Sequence, residues 1–478
     1  MVSKLNQPQS NHKSMTAFSW RQLKLICPHC RTLLKPAPTE DGNNESDYTI
    51  LTCECYAYPV VADIPILRQG VVGSAKETAD DIVAFIRAGA YDDALRTMLM
   101  PAAPRSPALA PDWLKSLPSI KGLNAVKYQA HRRAIDGWRE EVSNFLLQPT
   151  ESLTACEFMK GYLGQHLEER QNTYDYFAYR FGQPRHLVAL SFTSLIDQPT
   201  APILELTCGC GHITRGLLKQ ADGQPVVGLD LSFFALYVAK NWVAPKAIYL
   251  YGDLDHPLPF EDNVFSAVSS TDGFHYVANK SDSVQEIRRV VRPDGLILIN
   301  VLRNAHIEYE FAGQPVRAED YKDLVADIPH RLVGDGAVLE RYLRRQGPSL
   351  ENQADLHHLR DEPLVSLVAS EEAEIFHDHD TFEDWPHALG SLRLNPLYQI
   401  IEDKASGKTY LERTFPSAFY KEDNIDALNY LPQRQAVSAT FFDDLHHQRR
   451  TDEIEAFISS CVVLSMPARY VTHSAIVT

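Results

Sequence analysis

The chain has 478 residues, 44% of them apolar, and a formal charge of −16 at pH 7, enough for two or three domains with a sizeable core. A field of that sign repels nucleic-acid phosphates and favours neutral or cationic ligands, which disfavours RNA and DNA as substrates. No apolar run reaches the roughly 20 residues that span a bilayer, and the polar start MVSKLNQPQSNHKSM lacks the apolar centre of a secretion signal, so a cytoplasmic location without membrane contact is expected.

In chain order, residues 1–20 read as a disordered tail. The segment 21–72 holds four of the eight cysteines in two close pairs, Cys27 and Cys30 in LKLICPHCRTLL and Cys53 and Cys55 in LTCECYAYP. In a reducing compartment such pairs read as metal ligands before disulfides. Four thiolates on two turns suit a closed tetrahedral Zn2+ site, which folds a segment too small to make its own core; the alternative is a set of thiols without metal. With its trailing YPVVADIPILR, the segment resembles the small zinc-ribbon family that activates several tRNA and protein methyltransferases. Tyr58, Pro59, Ile64, Pro65 and Leu67 match that family's ending, Ala62-Asp63 replaces its Asp-Gly, and the second pair, CxC, is tighter than the usual CxxC.

Residues 73–120 read as a helix from Ala75 to Leu99 followed by the proline-rich spacer PAAPRSPALAPDW. Residues 121–198 contain two amphipathic helical stretches. In the second, Tyr174, Tyr176, Phe177, Tyr179 and Phe181 crowd together, either as a core stripe or as a helical lid whose aromatic faces bound a substrate or a cation.

From 199 to 303 short apolar strands (PILEL, PVVGLDL, AIYLYGD, FSAVSST, GLILINV) alternate with helices. That pattern predicts a parallel sheet covered on both faces, with ligands beyond the carboxyl ends of its strands. ILELTCGCGHIT is strand, glycine turn and helix, which brings backbone N–H groups and a helix N-terminus to a polar ligand. Gly209 and Gly211 leave room where a Cβ would obstruct the ligand, and Glu205 can accept from a ligand amine or from the turn. Asp230 ends the second strand about twenty residues beyond the glycines, the offset of a ribose-binding acid, with Leu231 beside it to pack on a base. Its plainer role is to cap the next helix. Asp253 is placed to accept from an exocyclic adenine amine. SSTDGFHYV puts Thr271, Asp272, His275 and Tyr276 past the fourth strand, where a second substrate would lie. His275 is either a general base, since imidazole titrates near neutrality, or a structural residue. Cys208 and Cys210 read as packing residues, and the turn lacks the GxGxxG spacing of an NAD site.

The whole span resembles class I S-adenosylmethionine-dependent methyltransferases. Members read VLDLGCGTG, GVDLS, GDAEALPFPDNSFDAV, LHHV and REIARVLKPGG; this chain has ILELTCGCG, GLDLS, GDLDHPLPFEDNVFSAV, FHYV and QEIRRVVRPDG, in that order. The resemblance implies an α/β, Rossmann-like sheet of seven strands that uses S-adenosyl-L-methionine. It places Glu205, Thr207, Gly209 and Gly211 at the methionine end of that cofactor, Asp230 and Leu231 at the ribose, and Asp253 with Leu254 at the adenine. It leaves His275, Asp272 and Tyr276 as catalytic candidates. Thr207 stands where the family has its first loop glycine.

Beyond the core, 304–395 is expected to be an insertion over the substrate side, with helices in AEDYKDLVADI and GAVLERYLRRQ. Residues 396–478 are expected to supply the last strands of the sheet through TYLERTFPSAFY and FISSCVVLSMPARYV, with a helix in AVSATFFDDLHHQRR. HDHD at 377–380, His357-His358 and His446-His447 lack the spacing of a metal ligand set and read as solvated. The implied activity is methyl transfer to an oxygen, nitrogen or carbon nucleophile of a small metabolite, with no partner beyond that substrate and at most a second copy of the chain. The alternatives are an RNA or protein methyltransferase, from the ribbon, and an inactive regulatory scaffold, from Thr207.

Overall fold

The computed structural model describes residues 18–38, 46–72, 77–102, 123–163, 168–308, 313–405 and 407–471. Most of the expected 1–20 tail and of the proline-rich spacer lies outside these residues. Trp20 lies inside them and is packed, 3% exposed, so residue 20 is no part of a disordered tail.

Seven strands make the central sheet: β1 Ile203–Leu206, β2 Val226–Asp230, β3 Ile248–Tyr251, β4 Phe265–Thr271, β5 Val291–Arg303, β6 His330–Gly334 and β7 Leu364–Ala369. Their order is β6-β7-β5-β4-β1-β2-β3. β1 to β5 run parallel, and β7 is antiparallel to both β5 and β6. The chain winds outward from β1 through β2 to β3, then crosses back to β4, so the crevice at the carboxyl ends of β1 and β4 is the point where such sheets take ligands. Alternate strand residues serve opposite faces. Ile203, Val226 and Leu298 enter one core with the helices Pro184–Thr193 and His212–Gln220, while Leu204, Val227 and Ile299 enter the other with Lys280–Val290. Both faces are thus apolar, which is why the strands read as continuous hydrophobic runs.

The last two strands come from the segment expected to be an insertion, and 396–478 stays out of the central sheet. Its strands Tyr398–Asp403, Lys408–Arg413 and Arg434–Val437 form a separate antiparallel sheet, and Val463–Ser465 pairs with Leu392–Leu394. The burial of the strands explains the exchange. β7 is buried at five of six positions, whereas Lys408–Arg413 buries Leu411 alone and suits a sheet with a wet face. TYLERTFPSAFY splits into that strand and the helix Ala418–Asp423, which, with the helix Glu168–Ala178, covers the substrate side instead.

The cysteine-bearing segment is a four-stranded ribbon, Lys35–Pro36, Thr49–Thr52, Ala57–Val61 and Ile64–Pro65. It docks on the free edge of β3: Ile66 bridges Tyr251 in parallel, the Leu67 N–H donates to the Tyr251 carbonyl at 2.8 Å, and the Ile26 N–H donates to the Pro259 carbonyl at 3.0 Å. An edge that would otherwise offer unpaired groups to another chain is closed from within. The turn between its last two strands, Ala62-Asp63, has φ of 50° and 58° at both positions, a geometry usually left to Asn-Gly. Asp63 helps to hold it in place. Its carboxylate accepts from Trp20 Nε1 at 2.7 Å, Arg21 at 2.7 Å and Lys240 Nζ at 2.8 Å, tying ribbon to core.

Burial alone would raise the Asp63 pKa, but Lys240, Arg21 and Trp20 together lower it. A carboxylate lowered in the folded state stabilises above its unfolded pKa and loses that contribution as pH falls through the folded one. Asp63→Asn is therefore expected to cost about 1–3 kcal/mol in urea unfolding at pH 7, and the gap from wild type should close in acid, below the ordinary carboxyl value of about 3.9. A gap independent of pH would contradict the charge-based tie.

Candidate active site

β1 ends at Leu206, and the chain turns through Thr207–Gly211 into the helix His212–Gln220. Thr207, Gly209 and Gly211 have φ of 53°, 51° and 77°. Thr207 therefore keeps the left-handed backbone that the loop requires, at a cost of roughly 1–2 kcal/mol for a residue with a Cβ. Its side chain turns onto Gly273, where a Cβ would come within 2.4 Å of Thr207 Oγ1, and that hydroxyl lies 2.9 Å from Ser270 Oγ. The two glycines answer different demands. At Gly209 only Phe177, at 3.6 Å, stands near a missing Cβ, so the positive φ is the requirement. At Gly211 a Cβ would meet Ala239 at 2.8 Å and Tyr249 Oη at 3.0 Å, so close packing forbids it rather than a ligand.

Asp230 at the end of β2 accepts the Gly209 N–H at 2.8 Å and the Ser232 N–H at 2.7 Å. It braces the glycine turn and starts the helix Phe233–Val238, whose cap is Ser232. Glu205 is 2% exposed and accepts from Thr214 Oγ1; burial pushes its pKa up to about 8. Both acids border a cavity of about 550 Å³ that also takes in Thr207, Gly209, Leu231, Asp272 and Tyr276.

The far half of the cavity is built on Asp272, a residue with φ of 55° just past β4. Its carboxylate accepts from Tyr176 Oη at 2.9 Å and pairs with Arg180 at 3.1 Å and Arg185 at 3.6 Å. Burial opposes ionisation, yet Arg185 and Arg180 hold its pKa at about 2. Arg180 also stacks over the Tyr176 ring, 4.6 Å from its centroid. Arg185 reaches on to Asp423, which lies 3.9 Å from Arg303. Leu231, Tyr276 and Phe419, exposed by 45%, 56% and 54%, form an apolar rim.

Three residues predicted for the site lie outside this cavity. Asp253 turns to Arg68 at 3.7 Å and His256 at 3.4 Å, in a separate space of about 130 Å³ beside Pro28 and His29 of the ribbon. Leu254, 7% exposed, packs into the core beneath the sheet. His275 is 1% exposed with its ring 4.4 Å from that of Tyr276, and burial holds its pKa at about 4, so it is neutral at pH 7 and set behind the cavity wall. The aromatic stripe divides: Tyr176 and Phe177 border the cavity, while Phe181 is core. Sequence reasoning missed Arg180, Arg185, Arg303 and Asp423. The available signal was Arg185 itself, a cation within PRHLVALSFT, a helix buried at every position.

In the ribbon, the Sγ atoms of Cys27, Cys30, Cys53 and Cys55 lie within 4.8 Å of one another, the one group of three or more metal-capable side chains so gathered among the described residues. Cys55 is 3.6 Å from Cys27 and 3.5 Å from Cys53, close to the ~3.8 Å that Zn–S bonds of about 2.3 Å impose on a tetrahedron. The His29 and Cys30 amides donate to Cys27 Sγ at 3.4 Å. The donor set fits Zn2+.

An acid whose pKa is raised by folding is tolerated below its unfolded pKa and destabilises progressively as pH rises towards the folded one. Ligand-free Glu205→Gln should therefore gain stability relative to wild type between pH 5 and 8, by on the order of 3 kcal/mol. Parallel unfolding curves for the two proteins across that range would refute the buried, protonated Glu205.

Residues 204–299 match the model of a family described as a methyltransferase domain. A phthiotriol/phenolphthiotriol dimycocerosates methyltransferase of Mycobacterium ulcerans is 29% identical over 131 residues, 26% of this chain and 48% of that protein. A demethylmenaquinone methyltransferase of Mycobacterium tuberculosis is 29% identical over 180 residues, 37% of this chain and 71% of that protein. The chain thus spans about half the length of the first relative and somewhat more of the second. Among solved structures, a SAM-dependent methyltransferase from Aquifex aeolicus aligns with 42% of this chain and 96% of its own at 16% identity and a TM-score of 0.31. With the matched segment running from β1 into β5 across the glycine turn, Asp230 and Asp272, the chain carries an S-adenosylmethionine-dependent methyltransferase domain.

Proposed function

We propose that the chain methylates an oxygen, nitrogen or carbon nucleophile of a small molecule. The observation that carries this reading is the continuity of one cavity from the matched glycine turn to a second half walled by Tyr176, Asp272, Arg303 and Phe419, a concave space of the size that holds a cofactor and small acceptor side by side. S-adenosylmethionine supplies a methyl group on a sulfonium. Glu205 and the glycine turn would hold its amino-acid end, Asp230 its ribose and Leu231 its base. Thr207, with its hydroxyl turned to Ser270, leaves the loop's backbone as the cofactor needs it, which supports activity over a scaffold role.

Direct displacement at a methyl group needs alignment and exclusion of water more than a base. Asp272, held ionised by its arginines, is a weak base, and we assign it the positioning of Arg180, Arg185 and Tyr176. Arg180, Arg185 and Arg303 are paired with Asp272 and Asp423, and the rim of Leu231, Tyr276 and Phe419 suits an acceptor with an apolar part. The relatives' names, with demethylmenaquinone and phthiotriol dimycocerosates, support a small-molecule acceptor. We assign Zn2+ to the four thiolates of the ribbon. No helix of the described residues is long and apolar enough to cross a membrane, and four thiolates held as metal ligands suit a reducing cytoplasm.

Isothermal titration with S-adenosylhomocysteine should give one site. Asp230→Ala should weaken it about tenfold or more, equivalent to ~1.4 kcal/mol, whereas Asp253→Ala and Thr207→Gly should stay within about threefold. No binding to folded wild-type protein would sink the enzyme reading. Elemental analysis should find zinc equimolar with the chain and lost in Cys27→Ser, with a lowered melting temperature; a well-folded, metal-free wild type would remove the metal assignment.

A further inference from the structure

A second cavity, of about 340 Å³, lies in the C-terminal part of the chain and shares no residue with the methyltransferase cleft. Leu392, Leu394, Tyr398, Ile400, Phe442 and Leu445 give it apolar walls, and its size falls within the roughly 300–1,000 Å³ of small-molecule sites. Most of its polar side chains are already committed. Gln448 accepts the Leu392 N–H at 2.6 Å and donates to the Leu392 and Leu445 carbonyls at 3.0 and 2.9 Å. Asn395 donates to the Cys461 carbonyl at 2.9 Å and accepts the Leu397 N–H at 3.0 Å. Tyr398 Oη donates to the Pro432 carbonyl at 2.8 Å.

Arg393 is different. It lines the cavity, its Nε is buried without a hydrogen bond, and among the described residues its guanidinium has neither hydrogen bond nor ion pair. Nearby arginines show the ordinary arrangement: Arg449 pairs with Asp444 at 2.6 Å and Arg450 with Asp384 at 2.7 Å. What sets Arg393 apart is an unpaired, buried Nε in the wall of an apolar cavity. Its Nε has no partner to replace the water it has lost, and a carboxylate is the group whose geometry matches the guanidinium fork.

We propose that this cavity binds a medium-chain aliphatic carboxylate, with the alkyl chain on the apolar walls and the carboxylate on Arg393. The assignment is independent of the methyltransferase reading, because the two cavities have separate walls.

The test is isothermal titration of the full chain with decanoate, with and without saturating S-adenosylhomocysteine. One saturable site is expected, with the same affinity in both conditions. Arg393→Met, which keeps the unbranched stem out to about the position of Nε and removes the charge, should weaken decanoate about tenfold or more and leave the melting temperature of the ligand-free protein unchanged. Ile400→Trp, which narrows the cavity, should abolish binding. On wild-type protein, decylamine should bind at least about tenfold more weakly than decanoate, a comparison that holds even where Arg393→Met fails to fold. The proposal is overturned by absence of saturable binding, by equal affinity in folded Arg393→Met, by decylamine matching decanoate, or by competition from S-adenosylhomocysteine, which would move the ligand to the first cavity.

Discussion

A carboxylate cannot be taken out of water alone, and the arrangement around Asp272 follows from that constraint. Placed past β4 at 3% side-chain exposure, it needs counter-charge and donors. Tyr176 and Arg180 bring them from the helical region before the sheet, and Arg185 brings a second cation from the helix Pro184–Thr193. Arg185 in turn requires Asp423 from the C-terminal helix Ala418–Asp423. Parts of the chain some 240 residues apart are thus drawn together over the carboxyl ends of β1 and β4. The cavity is the space left beneath them.

The sheet through β5 was legible in the sequence because strands buried on both faces have a short, continuous apolar signature and the glycine turn has a fixed place between strand and helix. β6 and β7 were not: HRLVG is no more apolar than TYLER, and LVSLVA, apolar at five of its six positions, lies between charged segments that read as an insertion, while which strand joins which sheet is decided by long-range packing. Asp230 was legible as a strand-end acid beside a glycine loop. Asp253 had the same local appearance, but its carboxylate faces His256 and the ribbon's Arg68, and nothing near position 253 encodes the contact made by position 68. His275 shows the same limit: its chemistry suggested a base, and its burial behind Tyr276 is a property of the fold alone. Thr207 was visible as a departure from glycine; that it would adopt the glycine's backbone and turn its hydroxyl to Ser270 was not.

Net charge speaks for the surface more than for the site. A total of −16 favours neutral or cationic ligands at long range, yet salt screens such a field within roughly 10 Å, and inside the cleft the nearest groups decide. There Arg180, Arg185 and Arg303 gather against Asp272 and Asp423, while Glu205 and Asp230 border the other half of the same cavity.

The ribbon closes the edge of β3 as part of the same polypeptide. A cover supplied by a separate subunit would leave at low concentration, and its occupancy would depend on the relative abundance of two proteins. A tethered cover faces an effective local concentration set only by its linker, commonly in the millimolar range for short ones. Protection of the sheet edge is therefore independent of dilution, and the ratio of cover to catalytic core is fixed at one to one wherever the intact chain is made.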